Sequence, residues 1–442
     1  MIKNKLFLVL VSGLLLASCG VEKQIQRTAT RAVLQNKALT TAHVGITLYE
    51  PATQRSWFDY QGDNYFVPAS NTKIPTCYAA MKYLGDSLLS GYLRDSVEYL
   101  YIQPVGDPSF LHAEFAYQPL WDNMRKTSKK LMIDFLSLHN FSAYGSGWSW
   151  DDYQQDYLAE RSAFPIYGNL VRFRRVNNKL TATPSVALRP PYMNEAMIQL
   201  LGTEGKFSIT RSLDENKFSV QRSSQNFTSA TIPFKTLQGT TAIQFLKDTL
   251  QRIGKEVEAR VVSITKPGQP IYSIPTDSLL KPLMHRSDNF FAEQSLLMVS
   301  QQLFGYLNDK KAIDSILRTD FADLPQRPRW ADGSGLSRYN LFSPRDFVMI
   351  LDKMQKEFGM DRVKEIFPTG GEGTISSYYK KDSGFIYAKT GTLSGVVGFS
   401  GFLYTQKGKL LLFSTLVNNH QASATEVRRA IEKFLQSVRQ RF

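Results

Sequence analysis

Long apolar runs are scarce in this chain of 442 residues, and so are cysteine and histidine. Two cysteines, Cys19 and Cys77, cannot build a disulfide framework, and five scattered histidines show no metal-ligand spacing. A stapled scaffold and a zinc hydrolase are therefore not expected, and neither metal nor cofactor is called for. No G-x-S-x-G elbow is present, which disfavours a Ser-His-Asp hydrolase. Nothing repeats at solenoid periods and no segment is low in complexity. The formal net charge is +14 at pH 7, yet no basic run interleaves with aromatics, so nucleic acid is not an expected partner. The lysines and arginines are read as covering solvated faces, with attraction to anionic envelope polymers as the alternative. What remains is an ordinary globular composition, 43% hydrophobic and 21% charged, with length for two or three domains.

The one apolar run stands at the N-terminus, "MIKNKLFLVLVSGLLLASCG". Lys3 and Lys5 form a basic start, Leu6 to Leu16 an apolar core, and small residues follow. The run is short for a membrane span and fits a secretory signal. Leu16-Ala17-Ser18-Cys19 resembles the lipobox of bacterial lipoproteins. The expectation is a signal peptide over residues 1–18 and an exported envelope protein tethered to a membrane by a lipid on Cys19. Cys77 is then left without a mate and is read as a small packed hydrophobe.

Periodicity predicts a helix over 25–39, then a strand in "AHVGITLYE", where Val44, Ile46 and Leu48 alternate with Gly45, Thr47 and Tyr49. "RSWFDY" reads as its hairpin partner, and 74–88 as a helix with Pro75 tolerable in the first turn. Near the other end, "GFIYAKTG", "VVGFSGFLYT" and "KLLLFSTLVNN" read as three successive strands before a helix over 424–441. Strands at both ends predict one sheet closed by both termini. Between about 90 and 278 the texture changes to short β-like runs such as "SVEYLYIQ" and "KFSITRSL", which reads as an inserted region of two subdomains. Helical patterns return over 288–304, 308–317 and 343–358, the last with Ser343 as N-cap and Pro344 at N1.

"VPASNTKIPTCYAA" (67–80) sets Ser70 and Lys73 three apart at a helix start. A capping box would have Glu or Gln at the second position. A lysine there faces the positive end of the helix dipole. The alternatives are a capped helix end and a nucleophile with its own base. Two further motifs weigh on the choice. Ser287-Asp288-Asn289 precedes an amphipathic helix, and Lys389-Thr390-Gly391 ends an apolar strand. Alone, the first is an ordinary helix cap and the second a strand exit. Together and in this order, S-x-x-K, S-D-N and K-T-G are the set of penicillin-binding proteins and class A β-lactamases.

Other stretches extend the likeness: "VGDPSF" (105–110), "WSWDDY" (148–153) followed by "YGNL", and above all "ADGSGLSRYN" (331–340). From about residue 40 to the C-terminus the chain resembles the D-alanyl-D-alanine carboxypeptidase/endopeptidase type of penicillin-binding protein, serine peptidase family S13. That family carries a large insertion between the first two motifs; class A β-lactamases do not, and their E-x-x-L-N motif is missing between Lys73 and Ser287. The resemblance implies an α/β (α+β) transpeptidase-like domain. Its antiparallel sheet would be flanked by helices, with an all-helical subregion and a β-rich insertion after the S-x-x-K helix. The expected division is 20–89 with 279–442 for the catalytic domain and 90–278 for the insertion.

The resemblance also implies roles. Ser70 attacks the penultimate carbonyl, Lys73 is its base, and Ser287 passes a proton to the leaving amine. Asn289 holds the substrate's peptide group, and Lys389 and Thr390 grip the terminal carboxylate. Gly391 leaves room along the strand edge. The N–H groups of Ser70 and Thr392 form the oxyanion hole. The partners implied are peptidoglycan stem peptides and β-lactams. A β-lactamase and a non-catalytic envelope lipoprotein are the competing readings.

Overall fold

In the computed structural model, residues 22–442 are described except 178, 195–197, 201–206, 223–226 and 256–257. The predicted signal peptide and Cys19 lie outside the described residues. Contacts divide the chain into two units. The first comprises the described residues up to Tyr78 with Lys281–Ser287 and Ile316–Phe442; the second comprises Ala79–Leu280 and Asp288–Ser315. No described helix is long and apolar enough to cross a membrane.

The first unit is built on one antiparallel sheet of five strands. Its order is Ile386–Leu393, Val396–Tyr404, Leu410–Asn418, His43–Glu50, Arg55–Tyr60. The N-terminal hairpin thus adds to the C-terminal meander, as the apolar patterns at the two chain ends predict. One face carries Val44, Ile46, Leu48, Val397, Phe399 and Phe413 against the helix Ala424–Arg441, whose Val427, Ile431, Phe434 and Leu435 are buried. That helix starts on a capping box between Ser423 and Glu426, a pairing that typically contributes about 1 kcal/mol. Strict alternation predicts a half-buried first strand, but residues 44–48 are all buried. The reason is a second cover: a side chain at Gly45 would meet the Phe66 ring at 2.5 Å and Pro344 at 2.8 Å. Pro344 opens the helix Pro344–Phe358, N-capped by Ser343 as its sequence predicts.

The helix predicted over 74–88 is shorter, Lys73–Tyr83. Gly85 turns the chain at φ +70°, and Leu88 and Leu89 enter a strand, Ser87–Asp95. Pro75 does sit in the first turn. Cys77 is fully buried within this helix, where it packs as a small apolar group.

The second unit holds a five-stranded mixed sheet, ordered Ala259–Val261, Lys130–Ile133, Tyr99–Pro104, Ser87–Asp95, Gln269–Pro275, and two three-stranded sheets. It also contains a helix that the strand-like texture hid, Thr240–Arg252. Its buried Ala242, Ile243, Phe245, Leu246 and Leu250 follow helical spacing. The helix Asn289–Phe304 groups with this unit, although 90–278 leaves it out. Gln294 explains the grouping: its amide donates to the carbonyls of Gly106 and Ser162 at 2.7 and 2.8 Å and accepts from the Ser162 N–H at 3.0 Å. Side-chain ties of this kind leave no trace in hydrophobic periodicity.

Candidate active site

Residues Ala69–Thr72 make one 3-10 turn that runs directly into the helix Lys73–Tyr83. Ser70 lies inside the turn and caps nothing; the N-cap position is Pro68 and has no side-chain bond. In a 3-10 turn residues i and i+3 eclipse. Lys73 Nζ accordingly stands 3.1 Å from Ser70 Oγ. Lys73 is 0% exposed, and a buried ammonium is costly unless it is paired or shifted toward the neutral form. The neighbour that fixes its head is a carbonyl: Nζ donates to Ser334 O at 2.6 Å.

Ser334 belongs to the D-G-S-G-L-S-R stretch, which folds as a loop tied from within. Asp332 accepts from the N–H groups of Gly335 and Ser337 at 2.8 and 2.7 Å, and Asn340 donates to Asp332 at 2.7 Å. The Gly333 carbonyl accepts from Thr76 Oγ1 at 2.7 Å. Gly335 has φ +84°, and a Cβ there would lie 1.9 Å from the Ala69 carbonyl oxygen and 3.0 Å from the Ser70 nitrogen. Ala69 itself has φ +48°, a left-handed conformation that a residue with a Cβ adopts only when its surroundings impose it. The loop presses on the peptide that carries Ser70, and only glycine permits the approach.

Across from the turn runs the strand Ile386–Leu393, at the sheet edge. Lys389, also 0% exposed, donates to Ser287 Oγ at 2.9 Å and to its own neighbour's carbonyl, Thr390 O, at 2.7 Å. Burial first, then the charge of Lys73 and that of Arg428, hold the Lys389 ammonium well below the usual lysine range. Ser287 has φ +63°, so both motif serines sit at or beside a strained backbone position. Gly391 proves necessary for packing: a Cβ there would meet Pro68 O at 2.5 Å and Asn71 Nδ2 at 2.8 Å. Its cross-strand partner is Gly398, where a Cβ would meet the same amide at 2.3 Å. The paired glycines make a slot into which the turn behind Ser70 settles. The room expected at Gly391 for a substrate chain is taken, on this face, by the protein itself.

Strand alternation sorts the rest of the motif. Lys389 and Gly391 face the Ser70 turn. Thr390 and Thr392 face the C-terminal helix, sharing that side with buried Ile386 and Ala388. Thr390 Oγ1 donates to Thr374 Oγ1 at 2.7 Å, and Thr392 Oγ1, exposed, accepts from Arg428. Asn289 opens the helix Asn289–Phe304 in the second unit and donates to Tyr157 O at 3.0 Å. Asp288 is that helix's N-cap, accepting from Phe291 N at 3.0 Å, in keeping with a structural role. Among the described residues no group of His, Cys, Asp or Glu could hold a metal ion.

Sequence reasoning missed Ser334, Asn71, Thr374, Gly398 and Arg428. For Gly398 a signal existed, since Gly391 and Gly398 are symmetric about the hairpin turn. Ser334 lies in the 331–340 stretch that the sequence singles out, but its part does not show there, because the group used is a main-chain carbonyl.

Residues 26–438 match the sequence model of the D-Ala-D-Ala carboxypeptidase 3 (S13) family. A D-alanyl-D-alanine carboxypeptidase DacB of Haemophilus influenzae is 26% identical over 406 residues, covering 83% of this chain and 84% of the relative. A D-alanyl-D-alanine carboxypeptidase of Actinomadura sp. (strain R39) is 25% identical over 444 residues, with 89% and 81% covered. The crystal structure of penicillin-binding protein 4 from Haemophilus influenzae superposes with a TM-score of 0.72 at 22% identity, over 94% of this chain and 98% of that one.

Proposed function

The chain belongs to the D-Ala-D-Ala carboxypeptidase 3 (S13) family, and on that premise we propose that its carboxypeptidase activity runs through an acyl-enzyme on Ser70. The observation that carries this reading is the buried Lys73 Nζ 3.1 Å from Ser70 Oγ. Ser70 Oγ attacks the carbonyl between the two D-alanines while Lys73 takes its proton, and the tetrahedral oxyanion collapses to an ester. Donation of an N–H from Lys73 to Ser334 O leaves the amine's single lone pair to face the serine. Lys389 donates to Ser287 Oγ, which leaves the Ser287 O–H to pass a proton to the departing D-alanine nitrogen. Ser70 and Thr392 N–H groups serve as the oxyanion hole; one such donor is typically worth about 3–4 kcal/mol of barrier. Asn289 orients the substrate's peptide group. Lys389 and Thr392 take the terminal carboxylate at the strand edge, and Thr390 joins them once its hydroxyl turns from Thr374.

The same acylation serves three substrates by chemical class. These are free stem peptides, cross-linked peptides (an endopeptidase reaction) and β-lactams, whose strained amide occupies the position of the scissile bond. An envelope location follows from a peptidoglycan substrate, and the lipobox sequence ending at Cys19 supports attachment through a lipid.

An intact-mass time course with benzylpenicillin, run beside Ser70→Ala, tests the reading. A one-to-one adduct that persists in the wild type and is missing from the variant is expected. An adduct that vanishes within seconds as penicillin is consumed points to a β-lactamase, and no adduct at all removes Ser70 as nucleophile.

A further inference from the structure

The carboxylate site described so far has one cation, Lys389, which approaches the strand edge from the Ser70 face. The other face has a second. Arg428 stands in the second turn of the helix Ala424–Arg441, and its Nη2 donates to Thr392 Oγ1. Its Nε is buried and has no hydrogen-bond partner among the described residues. The Tyr378 ring, 5.9 Å from the guanidinium carbon, flanks it, and its side chain lines a small cavity together with Thr390 and Gly398. Lys389 stands three residues before Thr392 on the same strand, so the two cations bracket one short length of strand edge.

The hydrogen bond has a chemical consequence. A guanidinium only donates. Thr392 Oγ1 is therefore held as an acceptor toward Arg428, and its single O–H is left to donate outward. Thr392 is exposed, and the outer bridge that Thr369 makes to this strand stands at Tyr387, towards the strand's other end. A group placed there meets a hydroxyl fixed as a donor and a guanidinium with N–H groups to spare. That surrounding suits an acceptor-only, negatively charged group, and a bound carboxylate would make charge-assisted bonds in it.

We propose that Arg428 is a specificity-determining residue: it sets Thr392 as a donor at the strand edge and supplies the second cation by which a terminal carboxylate is told from a neutral end. The inference rests on the acyl-enzyme reading given above. It predicts discrimination in the leaving group alone, so it is tested with two thioesters of one acyl-D-alanine. One leaves as thioglycolate, ending in a carboxylate; the other leaves as its methyl ester, which is neutral. Deacylation is common to both.

Wild type is expected to prefer the carboxylate thioester in kcat/KM. Arg428→Ala should lose about 10- to 100-fold on that substrate, the range for a lost charge-assisted bond. On the neutral substrate it should stay within about twofold, because the lost interaction involves only the charged leaving group. Arg428→Lys should recover part of the preference, and Thr392→Val combined with Arg428→Ala should cost less than the sum of the two. Equal losses on both thioesters would mean a structural role only and overturn the proposal. So would a wild type that does not discriminate, or an Arg428→Ala protein whose preference is unchanged. Benzylpenicillin acylation is followed in parallel. No adduct in the wild type sinks the Ser70 reading itself, whereas a normal Ser70 adduct with no selectivity sinks only the role of Arg428.

Discussion

Replacing Gly335 by alanine is the sharpest perturbation of this site, because it adds one methyl group and touches no side chain assigned to the chemistry. Two effects follow, and they can be separated. The first is backbone strain: φ is +84° at Gly335, and a residue with a Cβ in that region costs about 1–2 kcal/mol. The second is collision. The new Cβ would stand 1.9 Å from the Ala69 carbonyl oxygen and 3.0 Å from the Ser70 nitrogen, where ordinary contact needs about 3.5 Å. Both neighbours are backbone, so no side chain can swing aside. The Ala69-Ser70 peptide must move by about 1 Å or more, and a misplacement of that size typically costs about 100-fold in rate. Gly408 is the control. It lies in the same unit with φ +77° and has nothing within 4 Å of a built Cβ, so Gly408→Ala carries a positive φ without the collision. Acylation by benzylpenicillin, measured as a second-order rate by intact mass, should fall about 100-fold or more in Gly335→Ala and stay within about twofold of wild type in Gly408→Ala. Thermal unfolding of the two should differ far less than their rates. Wild-type acylation in Gly335→Ala would refute the claim that this loop holds the Ser70 peptide in place.

Lys389→Ala removes a buried cation that repels Lys73, so Lys73 keeps its proton to higher pH and acylation at pH 7 should fall about tenfold for each unit by which its titration rises. The deficit should narrow as pH is raised toward 9; a deficit constant with pH would leave only carboxylate binding to explain it. Asp346, buried in the capping box of the helix Pro344–Phe358, has its carboxyl pushed up to about 6 from 3.8. The folded state then binds more protons than the unfolded one between those values, so this residue makes stability fall as pH rises from about 4 to 6 and adds no slope above or below. Urea unfolding at pH 4 and 7 should show a wild-type difference that shrinks in Asp346→Asn by up to about 3 kcal/mol, and an unchanged difference would contradict the burial argument. In the second unit, Arg161 is buried between Asp309 at 2.6 Å and Glu293 at 3.4 Å. Arg161→Met leaves two carboxylates unmatched and should cost about 3–5 kcal/mol, read as a lowered urea midpoint of that unit; a midpoint within error of wild type would show the carboxylates are otherwise satisfied.

Much of the fold was legible from local patterns. The three C-terminal strands, the N-terminal hairpin and the Ser343 and Ser423 helix starts each express a short-range rule, a period of two or a cap. The failures have local causes too. The pattern over 74–88 overextends the helix, because Leu88 and Leu89 suit a helix and a strand equally well. The helix Thr240–Arg252 is masked by the short strands around it. The pattern over 288–304 reveals a helix but not the unit it packs in, since Gln294 ties it to Gly106 and Ser162 far away in sequence.

For the site, the sequence alone determined the residue types and their order: Ser70, Lys73, Ser287, Lys389, Thr390 and Gly391 are chemically distinctive, and their spacing is a one-dimensional property. Only the tertiary structure decided what those residues touch. Lys73 is directed by the carbonyl of Ser334, Ser70 is held by the closeness of Gly335, and the glycine of the K-T-G motif makes room for Asn71 and Pro68. Arg428 reaches Thr392 from a helix at the chain's end. Such contacts depend on main-chain groups and on glycines whose importance is empty space. Every residue has a main chain and every glycine lacks a side chain, so nothing in the one-letter string sets these apart until the fold brings their neighbours within contact.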